Sequence, residues 1–332
     1  MDINEFVALS VKHNASDLHL CTGHLPMLRV DGELVPCESF GLVTVAGMEQ
    51  LCSRFLDQHQ QLDLQQHGQI DLAVTLAQGA RLRVNLFQQQ RGLSASLRPI
   101  PFLCPQLGQL QVPPPLSEWI QEEDGLILVT GATGSGKSTT LAAMIDYLNH
   151  HQQRHILTLE DPIEFLHTSA RCLIQQRELG LHTHSFPLAI RAALREDPDV
   201  ILLGELRDAE TIRLALTAAE TGHLVLATLH TRSATQAVDR LVDVFPAEEK
   251  AFVRAQLAGS LRAVIAQKLC PRPSGGRIAL FETLTATPAV SNLIREGKTH
   301  QLPNILQTGS QAGMQTFEQS HAQRVKEGFL SG

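Results

Sequence analysis

Residues Gly131 to Ser138, GATGSGKS, fit the spacing G-x-x-x-x-G-K-[ST]. That spacing describes a way to hold an anion. Glycines at 131, 134 and 136 let the backbone turn sharply and come close to a charged group. The N–H groups of such a loop, and the positive end of a helix following it, then face the anion. Lys137 adds a point charge at the β/γ oxygens of a triphosphate, and Ser138 offers a hydroxyl to Mg²⁺. The nucleotide-binding set is therefore Gly131, Ala132, Thr133, Gly134, Ser135, Gly136, Lys137, Ser138 and Thr139, and the expected ligands are ATP and Mg²⁺.

Four further groups carry residue types suited to phosphoryl transfer. VILLGELRD, Val200 to Asp208, is an apolar run ending in an acid. Downstream of a phosphate loop, Glu205 is placed to hold Mg²⁺ at the carboxyl edge of a sheet, partly through water. TLEDPIE, Thr158 to Glu164, sets three acids after another apolar run. It reads either as a solvated proline turn or as the source of a carboxylate that orients the attacking water. HLVLATLHT carries His223 and His230 on either side of a strand, where they are structural or sense the γ-phosphate or a neighbouring subunit. Arg81, Arg83, Arg91 and Arg98 crowd one stretch, as a solvated cationic face or as fingers that reach a neighbour's nucleotide.

These residues need elements to place them. The apolar run Leu126–Thr130 predicts a buried strand before the loop, and Lys137–Asn149 a helix after it. Beyond Leu116, strands and helices alternate, which argues for a mainly parallel α/β sheet. Expected strands are His155–Leu159, Val200–Leu203, Leu224–Thr228 and Arg277–Leu284. Expected helices are Pro187–Arg195, Ala209–Thr221, Ala234–Val242 and Glu248–Leu269, with more helix from Pro288 onward. Ahead of this, Asp2 caps a first helix and Thr44 a second. A hairpin turns at Asp31-Gly32, and a second strand pair turns around Gln78-Gly79-Ala80. Residues 1–98 thus read as a small α+β domain with an antiparallel sheet. Prolines at 99, 101, 105, 113, 114 and 115 stiffen a linker over 99–116, and 117–332 form the α/β domain.

Composition narrows the class. A hydrophobic share of 43% supports a sizeable core in a 332-residue, two-domain chain. A net charge of −7 and only 4% aromatic residues argue against a nucleic-acid translocase, which would carry a basic footprint and stacking platforms. None of the six cysteines lies in a C-x-x-C pair, so neither a zinc ribbon nor a dithiol redox motif is written, and scattered thiols suit the cytosol. The acidic start MDINEFVALS is no signal peptide, and no apolar run approaches the roughly twenty residues that span a bilayer.

Taken in order, ASDLHL, PMLRVDGEL, RLRVNLF, TGATGSGKSTTLAAMIDYLN, HILTLEDPIEF, ALREDPDVILLGELRDAETIRLALTAAETGHLVLATLHT and VDRLVDVFPAEEK resemble the PilT family of twitching-motility ATPases, within the type II/type IV secretion ATPase superfamily. The resemblance implies a PAS-like N-terminal domain, a RecA-like P-loop ATPase domain and a homo-hexameric ring. Glu160 to Glu164 matches the family's Asp box, with Glu164 at the catalytic glutamate. Glu205 matches the Walker B acid, His223 and His230 the His box, and Arg83 and Arg98 the sensors or fingers supplied across the ring. The implied activity is ATP hydrolysis driving pilus retraction, in the cytoplasm, docked on an inner-membrane platform protein. No nucleic acid and no membrane insertion are expected. An assembly or secretion ATPase and a weakly hydrolysing accessory subunit are the other readings. The absent tetracysteine module counts against the first, and the acid pair Glu164 and Glu205 against the second. Two departures stand out. Ala132 replaces a common proline, and AVSNLIRE carries Ser291 where the retraction-linked motif has its first arginine. Turnover is expected to survive both; productive retraction is the property the second puts in question.

Overall fold

The computed structural model describes residues 3–13, 15–30, 32–77, 79–100 and 104–331. The expected cap at Asp2, the turn residues Asp31 and Gln78, and Pro101 of the linker lie outside the described residues. The chain divides into two compact units: Met1–Leu103 with Pro162–Phe165, and Cys104–Asp161 with Leu166–Gly332.

The first unit is built on a six-stranded antiparallel sheet. Its elements are α1 (Ile3–Lys12), β1 (Asp17–Cys21), β2 (Met27–Val30), β3 (Glu33–Pro36), α2 (Val45–Phe55), α3 (Gln58–His67), β4 (Gln69–Thr75), β5 (Arg81–Gln89) and β6 (Gly92–Ile100). The strand order is β3-β2-β1-β6-β5-β4. Alternation decides which face is buried. In RLRVNLF, Leu82, Val84 and Leu86 enter a core with Phe6, Met48 and Leu97. The intervening Arg83 falls on the opposite face. Thr44 caps α2 through the Gly47 N–H at 3.0 Å, as its residue type dictates.

The second unit carries two short helices, α4 (Leu107–Leu110) and α5 (Leu116–Trp119), and then an alternating series. It runs β7 (Gly125–Thr130), α6 (Lys137–His151), β8 (His155–Glu160), β9 (Leu173–Glu178), α7 (Phe186–Ala193), β10 (Val200–Leu203), α8 (Ala209–Glu220) and β11 (Leu224–Leu229). It continues through α9 (Ala234–Asp243), α10 (Ala247–Ser260), β12 (Leu261–Pro271), β13 (Arg277–Thr285), α11 (Pro288–Glu296), α12 (Leu302–Thr308) and α13 (Phe317–Lys326). The sheet order is β13-β12-β7-β11-β10-β8-β9. Every pairing is parallel except β12 with β13.

A parallel sheet is covered on both faces, so its central strands read as unbroken apolar runs. All six residues of β7 and of β11 are buried. Their side chains alternate between two cores. Leu126, Leu128, Val225 and Ala227 join Ile212 and Leu216 of α8 on one face. Ile127, Val129, Leu224 and Leu226 join Met144, Ile145 and Leu148 of α6 on the other.

Two sequence expectations needed correction. A single helix over Glu248–Leu269 is instead α10 followed directly by β12. No proline separates the helical period from the apolar run Ala263–Ala266, and a short apolar run suits either structure. The burial available beside β7 decides for strand. The edge strand β9, LIQQRE, carries no apolar alternation and was not foreseen.

The turn after β10 is closed by Asp208, which caps α8. Its carboxylate accepts from the Thr211 N–H at 2.9 Å and from the Thr211 hydroxyl at 2.8 Å. Asp208→Ala is expected to lower unfolding stability by about 1 kcal/mol, and Asp208→Asn, which keeps an acceptor, by much less. Denaturant midpoints measure both; equal losses in the two variants would refute the capping role.

Candidate functional site

Strands β7, β11 and β10 lie side by side and parallel, so their carboxyl ends reach one edge of the sheet. Each end then delivers a different group. After β7, the chain enters the glycine loop. The backbone at Gly131 and Gly136 has φ of 152° and 90°, the region that glycine alone adopts without strain. A Cβ at Gly131 would collide with the Ser135 side chain and the Gln267 carbonyl. The loop then feeds α6, whose first residue is Lys137.

Lys137 is 8% exposed. Its ammonium donates to the carbonyls of Gly131 at 2.8 Å and Ala132 at 3.0 Å. It also stands 3.5 Å from Nδ1 of His230, the residue that follows β11. The other ring nitrogen of His230, Nε2, lies 3.0 Å from Glu205 Oε1. Lys137 has only protons to offer, so Nδ1 accepts and Nε2 carries the ring proton toward Glu205. A cation, an imidazole and a carboxylate thus lie in line along the edge of the sheet.

Glu205 follows Gly204 at the end of β10, in a turn held from both sides. The Gly204 N–H donates to Leu159 O at 2.8 Å, and the Leu206 N–H donates to Thr228 O at 3.0 Å. The Thr228 hydroxyl donates to Gly204 O. Thr130, buried at the end of β7, donates to Thr231 O at 2.7 Å and ties the two strand ends together. The Glu205 side chain is 19% exposed. Burial pushes its pKa up, but the hydrogen bond and charge of Arg207, with the hydrogen bond from His230, outweigh that, and the carboxyl is held below its ordinary range. Arg207 donates through Nε at 2.8 Å, places its terminal nitrogen 2.7 Å from the same oxygen, and lies 4.0 Å from Asp161. Sequence reasoning passed over Arg207, although the Glu-Leu-Arg-Asp spacing after an apolar strand contained it.

The other expected residues are placed as follows. Ser138 and Thr139 lie half-buried in the first turn of α6. Glu160 is drawn aside, accepting from the Thr158 hydroxyl at 2.6 Å and from the Gln176 amide at 3.2 Å. Glu164 is half-buried between buried Ile163 and Phe165, within the Pro162–Phe165 segment that groups with the first unit. His223 stands at the opposite end of β11 from His230, with Nδ1 3.1 Å from Ala218 O. A six-residue strand separates the two histidines by about 20 Å, so they do not share one site within this chain. In the first unit, Arg83 and Arg98 are direct cross-strand partners on β5 and β6. Arg98 is ion-paired with Asp17, donating through Nε at 2.8 Å with a second nitrogen at 2.8 Å.

The loop and its neighbours fit a magnesium nucleotide. The glycine turn presents backbone where a Cβ would intrude. The nearby donors, the Ser138 hydroxyl and an ionised Glu205 carboxylate, are hard oxygens of the kind Mg²⁺ prefers.

The chain is similar to known proteins over nearly its whole length. A family model described as "Type II/IV secretion system protein" matches residues 2–331. The chain is 62% identical to "Uncharacterized protein YggR" of Escherichia coli K12, over 99% of this chain and 100% of that one. It is 49% identical to the "Type IV pilus retractation ATPase PilT" of Pseudomonas aeruginosa PAO1, over 100% of this chain and 96% of the relative. Among solved structures, "Crystal Structure of the Pilus Retraction Motor PilT and Bound ADP" matches with a TM-score of 0.87 at 40% identity, covering 96% of each chain.

The lowered Glu205 pKa makes a pH prediction. Its stabilising contribution is complete above the unfolded-chain value of about 4.3 and is lost as pH falls through the depressed folded value. Arg207→Ala is expected to move the acid-unfolding midpoint to higher pH and, because the arginine is largely exposed, to lower stability at neutral pH by about 1 kcal/mol or less. An acid midpoint that does not move would show that Arg207 does not hold Glu205.

Proposed function

The chain belongs to the type II/IV secretion system protein family, and we propose that within it the protein is an ATP-hydrolysing motor acting on type IV pili. The observation that carries the reading is the line Lys137–His230–Glu205 beside a left-handed glycine loop, at the carboxyl edge of a parallel sheet. Support comes from the 49% identity over almost the full length to a protein described as a pilus retraction ATPase.

In this reading, residues 131–139 cradle the triphosphate with backbone N–H groups, aided by the N-terminus of α6. Lys137 leaves its carbonyl partners for the β/γ oxygens and neutralises charge that develops there. Ser138 and Glu205 would hold Mg²⁺, the second partly through water. When bound there, the metal would supply positive charge to offset that of the phosphates. Arg207 and His230 keep the Glu205 carboxylate ionised and aimed. The histidine between cation and acid is placed to register whether Lys137 faces the phosphate or the loop. Glu164 orients the attacking water, and Arg83 and Arg98 serve as fingers between subunits of a homo-hexamer. Hydrolysis at subunit interfaces moves the small PAS-like N-terminal domain of one subunit against the RecA-like domain of the next, and that motion passes to an inner-membrane platform protein. Among the described residues no helix is long and apolar enough to cross a membrane.

Turnover assays on the purified full chain, paired with particle mass, test this. Lys137→Ala is expected to reduce ATP hydrolysis by about 100-fold or more. Glu164→Gln should keep ADP binding and lose a comparable factor in kcat. A wild-type protein that binds ADP yet hydrolyses no ATP as a hexamer would replace the motor with a non-hydrolysing accessory subunit. Unaltered surface pili and motility after gene deletion in a piliated host would remove the pilus role.

A further inference from the structure

The glycine loop must be held from beneath as well as shaped from within. Gln267 lies on β12, one residue past the pairing of Ala266 with Thr130 at the end of β7. That position puts it under the loop. Its side chain is 4% exposed and has both ends engaged. The amide nitrogen donates to the Ser135 carbonyl at 2.8 Å. The amide oxygen accepts from the Thr140 hydroxyl at 2.7 Å. Ser135 lies in the loop, and Thr140 lies in the first turn of α6. One carboxamide therefore clasps both sides of the turn. The Gln267 main-chain carbonyl adds a second constraint by occupying the space a Cβ at Gly131 would need, and the side-chain amide nitrogen lies 2.8 Å from where a Cβ at Gly136 would stand.

Peptide geometry turns this clasp into an aiming device. In a trans peptide the carbonyl of one residue and the N–H of the next point in opposite directions. Pinning the Ser135 carbonyl inward onto Gln267 turns the Gly136 N–H outward, away from Gln267. We infer that Gln267 is a positioning residue for nucleotide binding, fixing the peptide plane between Ser135 and Gly136 so that its N–H meets the phosphate of a nucleoside diphosphate or triphosphate. The inference rests on reading this loop as the nucleotide site.

Only a carboxamide satisfies both partners. A methionine of similar length leaves the carbonyl and the hydroxyl unpaired. A glutamate keeps the acceptor for Thr140 but sets an oxygen against the Ser135 carbonyl. The expected signature is a loss of affinity rather than of chemistry, because the loop stays present but is no longer preorganised.

Titration calorimetry of the full-length protein with ADP and Mg²⁺ tests this, alongside melting temperature and turnover at saturating ATP. Gln267→Met and Gln267→Glu are each expected to raise the ADP Kd by about tenfold or more, with kcat changed by less than about threefold. Thr140→Val should raise Kd by about threefold, and Thr140→Ser, which restores the hydroxyl, should return it to the wild-type value. That pair decides the matter if the Gln267 variants do not fold. A lower melting temperature with unchanged Kd in the Gln267 variants, or equal affinity in Thr140→Val and Thr140→Ser, overturns the inference while leaving the nucleotide site intact. Wild-type protein that binds no ADP overturns both.

Discussion

The second unit depends on one strand standing between two others. β7 leads into the glycine loop and β10 leads to Glu205, and β11 separates them. Neighbouring strands lie about 4.8 Å apart, so the two ends are about 10 Å apart. A cation and an acid at that separation are too far apart for their strand ends to bring them into direct contact, yet near enough for a single ring to bridge. His230, at the end of the intervening strand, is that ring. On the proposed reading, a phosphate with its metal would lie along this edge of the sheet, with the histidine beside it.

The apolar layers matter because they hold this spacing. Buried on both faces, β7 and β11 cannot slip by one residue without exchanging the side chains that face α6 for those that face α8. Register is therefore fixed by packing, and register sets which residue ends each strand. Polar contacts refine the result. Thr130 joins the ends of β7 and β11, while Thr228 and Leu206 join those of β11 and β10. The hydrophobic cores set the geometry to within a residue, and hydrogen bonds among the strand ends set it more finely.

What the sequence made legible follows the same division. The loop, β10 and β11 could be read because an unbroken apolar run followed by glycine or an acid has few structural meanings. The apparent continuity of α10 into β12 misled, because only Gly259-Ser260 marks the break, and the environment of β7 supplies the rest. Gln267 was invisible for that reason: assigned to a helix, it pointed nowhere. Arg207 was visible as a residue, but its bonds to Glu205 depend on a turn whose shape is set by Leu159 and Thr228, on strands distant in sequence. The two histidines were read together from their symmetry about a strand. That symmetry in sequence is what puts them at opposite ends of it.

The departures from the family pattern can be weighed by the same physics. Ala132 is exposed in the loop, where a methyl group has no packing partner to displace. Ser291 lies in α11, a helix started by a Thr287 cap and Pro288 and packed through Val290 and Ile294. Those contacts hold α11 whatever residue stands at 291, so serine in place of arginine removes a charge without loosening the helix. A change of that kind leaves the sheet edge and its line of charged groups as they were. If this chain differs in its work from the pilus retraction ATPases it resembles, the difference belongs to what its helical surfaces meet rather than to the chemistry at the ends of β7, β11 and β10.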